Sequence, residues 1–216
     1  MGIIKSGILG EIQNQTGPVV ARMHKGQNVI TSRYKTKKTG EVSEKQQATR
    51  TRFSLLNEYL IAIQDLVDPG FKKFVKHNSP VNAAYSFNYD RAFTGEGEDL
   101  GLDRTKIMYS RGNVEVPESP QLVSEDGNFI LSWSDVQQSQ FCRNSDRLSF
   151  LIYVVEENST SIFQNVCQRS ELRYAVDAKE FAGKHFEVFA SFASADGKLQ
   201  GNSCYVGIVE IVGVFK

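Results

Sequence analysis

Cysteine and histidine are scarce in this sequence, with three of each. Cys142, Cys167 and Cys204 are too widely spaced for a disulfide framework or a zinc knuckle, so a reducing compartment is the economical reading. If the second half is a sandwich, one pair could lie close across its sheets, and one thiol would still be left over. His24, His77 and His185 form no H-x-x-x-H or H-x-H pattern, so no local metal site is written into the chain. A catalytic grouping such as His185 with Cys204 would have to be assembled by folding. There is no apolar run of about 20 residues that would cross a membrane. The N-terminus, MGIIKSGILG, is too short and interrupted for a signal peptide, whose apolar core needs about 7–15 residues. Neither Gly95-x-Gly97 nor Gly7-x-x-Gly10 is followed by the Lys-Ser/Thr pair of a phosphate loop. Net charge is also absent, with 25 basic and 25 acidic side chains.

That neutrality conceals an asymmetry. Residues 1–112 carry 17 Lys and Arg against 11 Asp and Glu, whereas residues 113–216 carry 8 against 14. The grammar changes at the same place, from helical periodicity to short alternating strands. The expectation is an α+β protein of two modules: a basic mixed hairpin and helical module over 1–112, then an acidic antiparallel β-sandwich over 113–216.

In the first module, Gly17–Met23 and Asn28–Tyr34 read as strands of a hairpin turning at His24-Lys25-Gly26-Gln27. Ser43-Glu44-Lys45-Gln46 is a capping box, so a helix should start there. Phe53, Leu56, Leu60, Ile63 and Val67 place an apolar stripe on one face, with Leu55, Tyr59 and Leu66 widening it. Pro69 should break or kink that helix near Val67-Asp68. A second helix should follow Ser79-Pro80, because proline suits the first helical turn. Lys106–Ser110 reads as a returning strand.

Gly2 with Ser6 matches an acylation pattern, but an apolar strand tucked into the fold or a neighbour explains the N-terminus better. Asn14 and Asn158 open formal glycosylation sequons that carry little weight without a secretion signal. Glu96, Glu98, Asp99 and Asp103 resemble a solvated connection more than a calcium loop, because their spacing does not match the 12-residue pattern. Between Arg22 and Arg52 there are nine cations and only two acids. Arg22, Lys25, Arg33, Tyr34, Lys35, Lys37, Lys38, Arg50 and Arg52 are therefore the candidate partner-binding or nucleic-acid-binding residues, with Tyr34 as a possible stacking ring. No RNA-binding sheet motif or GxxG clamp accompanies them.

In the second module, seven strands are expected around Leu122, Phe129–Trp133, Leu148–Val155, Ser161–Phe163, Leu172–Val176, Phe186–Phe192 and Cys204–Ile208, a spacing that indicates two packed sheets. This stretch resembles a fibronectin type III or immunoglobulin-like domain. Trp133 resembles that fold's core tryptophan, Tyr153 its core-facing tyrosine, and Phe186–Ala190 with Ser203 and Tyr205-Val206 its last hairpin. Phe186 stands where the late-strand tyrosine would be, so the tyrosine corner is missing.

The whole chain also resembles a family of Bacteroidetes proteins of similar length. The shared elements are MGIIKSGILG, a G-x-V-V segment, Gln46-x-x-x-Arg50-x-x-Phe53, Asn82-Ala83-Ala84, Ser110-Arg111-Gly112 and Ser194-Ala195-Asp196-Gly197-Lys198. The resemblance implies a bacterial source and supplies no catalytic residue or substrate.

The function these features point to is non-enzymatic. The chain reads as a cytoplasmic structural or protein-binding assembly protein, without cofactor or integral membrane association, self-associating through strand edges and its apolar N-terminus. The alternative is a nucleic-acid-associated protein using the 22–52 region.

Overall fold

A computed structural model describes residues 2–4, 14–24, 26–33, 43–95 and 97–213. It shows a mixed α+β chain of helices and several antiparallel sheets. Two compact units divide at Glu44 and Lys45, not at Gly112 as the change of sequence pattern suggests.

The first unit is a four-stranded sheet of β1 (Gly2–Ile4), β2 (Asn14–Thr16), β3 (Val19–His24) and β4 (Gln27–Ser32), in the order β1-β4-β3-β2. The expected hairpin is β3–β4, with Ala21 opposite Ile30 and His24 opposite Gln27. Gly26, at φ 74°, supplies the left-handed backbone that the tight turn needs. The apolar N-terminus is an edge strand of this sheet, with Ile3 opposite Val29. Among the described side chains of the unit only Ala21, Asn28 and Val29 are buried.

The second unit opens with α1 (Glu44–Ala62), which begins directly after Ser43 as the capping box places it. Leu56, Leu60, Ile63 and Val67 are fully buried, but Phe53, first in the expected stripe, is 52% exposed. The chain bends at Ile63 (φ −110°, ψ 24°), ahead of α2 (Gln64–Phe71). Pro69 lies inside α2 and does not end it. The amide that proline lacks would have met the Asp65 carbonyl; Gln164 Nε2 donates to that oxygen instead, at 2.6 Å. After the turn Lys72–Phe74, α3 (Pro80–Asn88) starts on Ser79, whose hydroxyl accepts the Asn82 amide at 3.3 Å.

A two-stranded ribbon, β5 (Phe93–Thr94) with β6 (Gly101–Leu102), precedes residues 107–110. The strand expected there does not form, because its hydrogen bonds go to side chains. Met108 N donates to Asn88 Oδ1, Met108 O accepts from Asn88 Nδ2, and Tyr109 N donates to Ser203 Oγ, all at 2.9 Å. The segment is gripped by α2 as well. A side chain at Gly70 would strike the Tyr109 carbonyl and Ser110 Cα at 2.5 and 2.7 Å.

Seven strands follow, close to their expected positions: β7 (Gln121–Glu125), β8 (Asn128–Ser132), β9 (Arg147–Val154), β10 (Ser159–Phe163), β11 (Arg173–Asp177), β12 (His185–Ala193) and β13 (Cys204–Glu210). They form a three-stranded sheet β11-β8-β7 and a four-stranded sheet β10-β9-β12-β13. Both sheets feed one apolar cluster, through Phe129 and Leu131 on one side and Phe150, Ile152, Phe186, Val188 and Phe192 on the other. Trp133 belongs to this cluster, donating its indole N–H to Arg169 O at 2.8 Å and standing edge-on to Phe192.

The four-stranded sheet is buried on its other face too. Leu151 and Phe189 join Leu56, Leu60, Ile63, Val67 and Phe71 in a second cluster. That shared core is why residues 45–112 fold with the strands rather than as a separate module. It also corrects the reading of Tyr153. In a strand, side chains alternate between faces, and the even-numbered residues of β9 fill the sheet-to-sheet cluster. Tyr153 is buried on the opposite face, under the Arg104 guanidinium at 3.7 Å, with its hydroxyl on Asn158 Oδ1 at 2.5 Å.

Candidate functional site

Of the nine residues singled out in the 22–52 run, Lys25, Tyr34, Lys35, Lys37 and Lys38 lie outside the described residues. Arg22 is exposed on β3 opposite Val29, and Arg33 is exposed just past β4, its amide on Pro18 O at 2.7 Å. Arg50 is exposed on α1. Arg52 is partly buried, its guanidinium 5.5 Å from the centre of the Phe93 ring.

The titratable groups weighed for chemistry do not converge. His185 faces Glu210 at one end of the β12–β13 ladder, while Cys204 faces Ala190 five residues along, about 17 Å away at strand rise. His185 Nδ1 meets Glu156 at 2.7 Å, and this bond raises the imidazole above its ordinary pKa while lowering the carboxylate. Burial raises all three thiols, Cys167 to about 12. Asp103 is bound to Lys106 at 2.8 Å and to the Thr105 hydroxyl at 2.5 Å, which holds its carboxyl below the usual range. Among the described residues no three His, Cys, Asp or Glu side chains gather as a metal site, and no helix is long and apolar enough to cross a membrane.

One buried ion pair sits at the end of the two sheets. Arg169 Nε lies 3.4 Å from Asp146 Oδ2, each side chain being 3% exposed. Arg169 also donates to Glu115 O at 2.5 Å and lies 3.8 Å over Phe192, so it ties the connection at 115–116 to the cluster. Nearby, Ser110 Oγ donates to Gly201 O at 2.8 Å, and Gly112 N to Asn202 Oδ1 at 3.1 Å. The Ser110-Arg111-Gly112 element is thereby held beside the loop that Ser194–Lys198 begins. These contacts organise the unit and leave no reacting atoms together.

A basic and aromatic face does assemble, on the helices, where the sequence did not single it out. The Arg111 guanidinium lies 4.6 Å from both the Phe74 and the Phe87 rings, and Arg91 covers Phe87 at 4.4 Å. Lys72, Lys73 and Lys76 are exposed alongside. Among the described residues none of these five cations has a carboxylate within ion-pairing distance. Two hollows flank the Lys72–Phe74 turn. One, of about 910 Å³, is lined by Lys72, Lys73, Lys198 and Gln200 together with the carboxylates Asp68 and Asp196. The other, of about 360 Å³, is lined by Phe74, Phe87, Arg111, Ser86 and Asn78.

The described residues form a mixed α+β chain with several antiparallel sheets. The chain belongs to the family of unknown function DUF6266, whose model matches residues 11–207. No curated protein matches it. Among solved structures, the FN1–FN3 domains of chicken CNTN1 are similar to it at 11% identity and a TM-score of 0.36, over 48% of this chain and 33% of that one. The chain therefore spans about a third of that structure's length, and the likeness is too slight to rest the fold on.

Proposed function

We propose that this is a non-enzymatic binding and assembly protein that self-associates through the edges of its first sheet. The observation that carries the reading is the makeup of residues 1–44. They form a compact unit of four short strands, yet only Ala21, Asn28 and Val29 are buried among its described side chains. Bodies near 40 residues usually need a disulfide, a metal or oligomerisation to persist. Val19 and Met23 are 39% and 42% exposed, and β1 and β2 have no further strand paired to their outer edges among the described residues. Exposed edges of this kind accept another chain's strand.

The rest of the chain serves as the scaffold. Seven antiparallel strands divided three and four around one apolar cluster support a fibronectin III-like sandwich over 113–216, with helices covering its larger sheet. Thiols kept protonated by burial support a binding role over thiol chemistry, since the thiolate is the nucleophile. Their buried or half-buried free state supports a reducing, cytoplasmic setting. The resemblance to Bacteroidetes proteins supports a bacterial source.

Light scattering on a sizing column tests the reading. The mass of the full chain is expected to rise with concentration, and removal of residues 1–10 to return it to the monomer. A strict monomer at every concentration, unchanged by the truncation, would count decisively against self-association.

A further inference from the structure

The helical face carries an inference independent of the first sheet. Arg91, Phe87, Arg111 and Phe74 form an alternating stack, with each guanidinium 4.4–4.6 Å from the ring it covers. Stacking against rings orders a guanidinium without consuming its N–H donors, which stay available in a planar fork. Arg91 and Arg111 are exposed, as are Lys72, Lys73 and Lys76, and among the described residues none of them forms an ion pair, although Asp68 and Asp196 line the hollow beside Lys72 and Lys73. Five unpaired cations on one face outnumber those two carboxylates, so the grouping fits a surface that meets a polyanion.

One further feature bears on which polyanion fits. Phe74 lines the smaller hollow and is 38% exposed, leaving ring surface free. An acidic peptide segment answers the cations through its carboxylates alone, whereas a single-stranded nucleic acid brings both phosphates for the cations and an unpaired base face for the ring.

We propose that this face binds single-stranded nucleic acid. Its phosphates lie along Lys72, Lys73, Lys76, Arg91 and Arg111, and one base stacks on Phe74. The site lies within residues 72–111, outside the 22–52 region to which the sequence alone points.

The test is fluorescence anisotropy of the full chain with a labelled oligothymidylate of about 16 nucleotides across a salt series. Five phosphate contacts at about 0.7 each give a log–log salt slope of about −3.5, and Lys72→Gln with Lys73→Gln and Lys76→Gln should reduce it to about −1.4. Phe74→Ala is expected to weaken binding about tenfold. All four side chains are exposed, and circular dichroism confirms that the variants fold. Arg91→Gln with Arg111→Gln provides a second, independent set. Four results would overturn the proposal: no salt-dependent binding; equal affinity for duplex DNA, which offers phosphates without free bases; equal affinity for polyglutamate, which would mark an acidic protein partner; or loss of binding on Arg22→Gln with Arg33→Gln but not with the helical variants. Each of these leaves the assembly reading standing, because that reading rests on other residues and another measurement.

Discussion

Arg169→Met is expected to be among the most destabilising single changes in the chain, costing about 3–5 kcal/mol. Methionine keeps much of the side-chain bulk over Phe192 but leaves Asp146 as a charge that is 3% exposed with no cation opposite it, and it frees the Glu115 carbonyl. For a body of this size the melting temperature should fall by about 6–20 °C. Replacing Asp146→Leu in the same chain should recover part of the loss, because removing both charges leaves no orphan. Recovery stays partial, since Asp146 Oδ2 also accepts the Arg143 amide at 2.9 Å. Urea unfolding of the two variants measures this, and a single-variant cost under about 1 kcal/mol would show that the pair is solvated rather than buried.

Asn88→Ala should have an effect of similar size through hydrogen bonding alone. The Asn88 amide is fully buried and does the work of a neighbouring strand for Met108, giving to its carbonyl and taking from its amide, both at 2.9 Å, while donating also to Ala84 O. Alanine leaves the Met108 amide and carbonyl unpaired, at about 1–3 kcal/mol for each group. Asn88→Asp separates packing from hydrogen bonding. It keeps the shape but offers no donor, so it should be at least as damaging at neutral pH. An Asn88→Asp variant as stable as the native chain would contradict this account of the 107–110 segment.

Local signals in the sequence were reliable wherever the determinant lay within a few residues. Ser43 and Ser79-Pro80 mark helix starts correctly, and Gly26 turns a hairpin where the spacing puts it. All seven later strands stand where alternation placed them. What was not legible depends on partners distant in the chain. The stripe on α1 gave no sign that Phe53 would be exposed while Leu56 is covered, because the covering residues include Leu151 and Phe189. Pro69 does not end α2, and Gln164, 95 residues away, donates to the Asp65 carbonyl that it orphans.

The apolar run Phe150–Val155 held more information than the strand reading used. A sheet with one wet face alternates, whereas continuous hydrophobicity signals cover on both faces. Helices from the basic half supply that second cover, so the true division lies at Glu44 rather than Gly112. The helical face was missed for a similar reason. Phe74, Phe87, Arg91 and Arg111 are spread over 38 positions and come together only when α2, α3 and the 107–112 segment pack.

Amide hydrogen exchange on the full chain, at two protein concentrations about tenfold apart, bears most directly on association through the first sheet. Exchange in β1 and β2 should slow at the higher concentration as their outer edges gain partners, while β8, β9 and β12 in the interior stay unchanged. Identical exchange in β1 and β2 at both concentrations, with the mass constant at the monomer, would contradict the account.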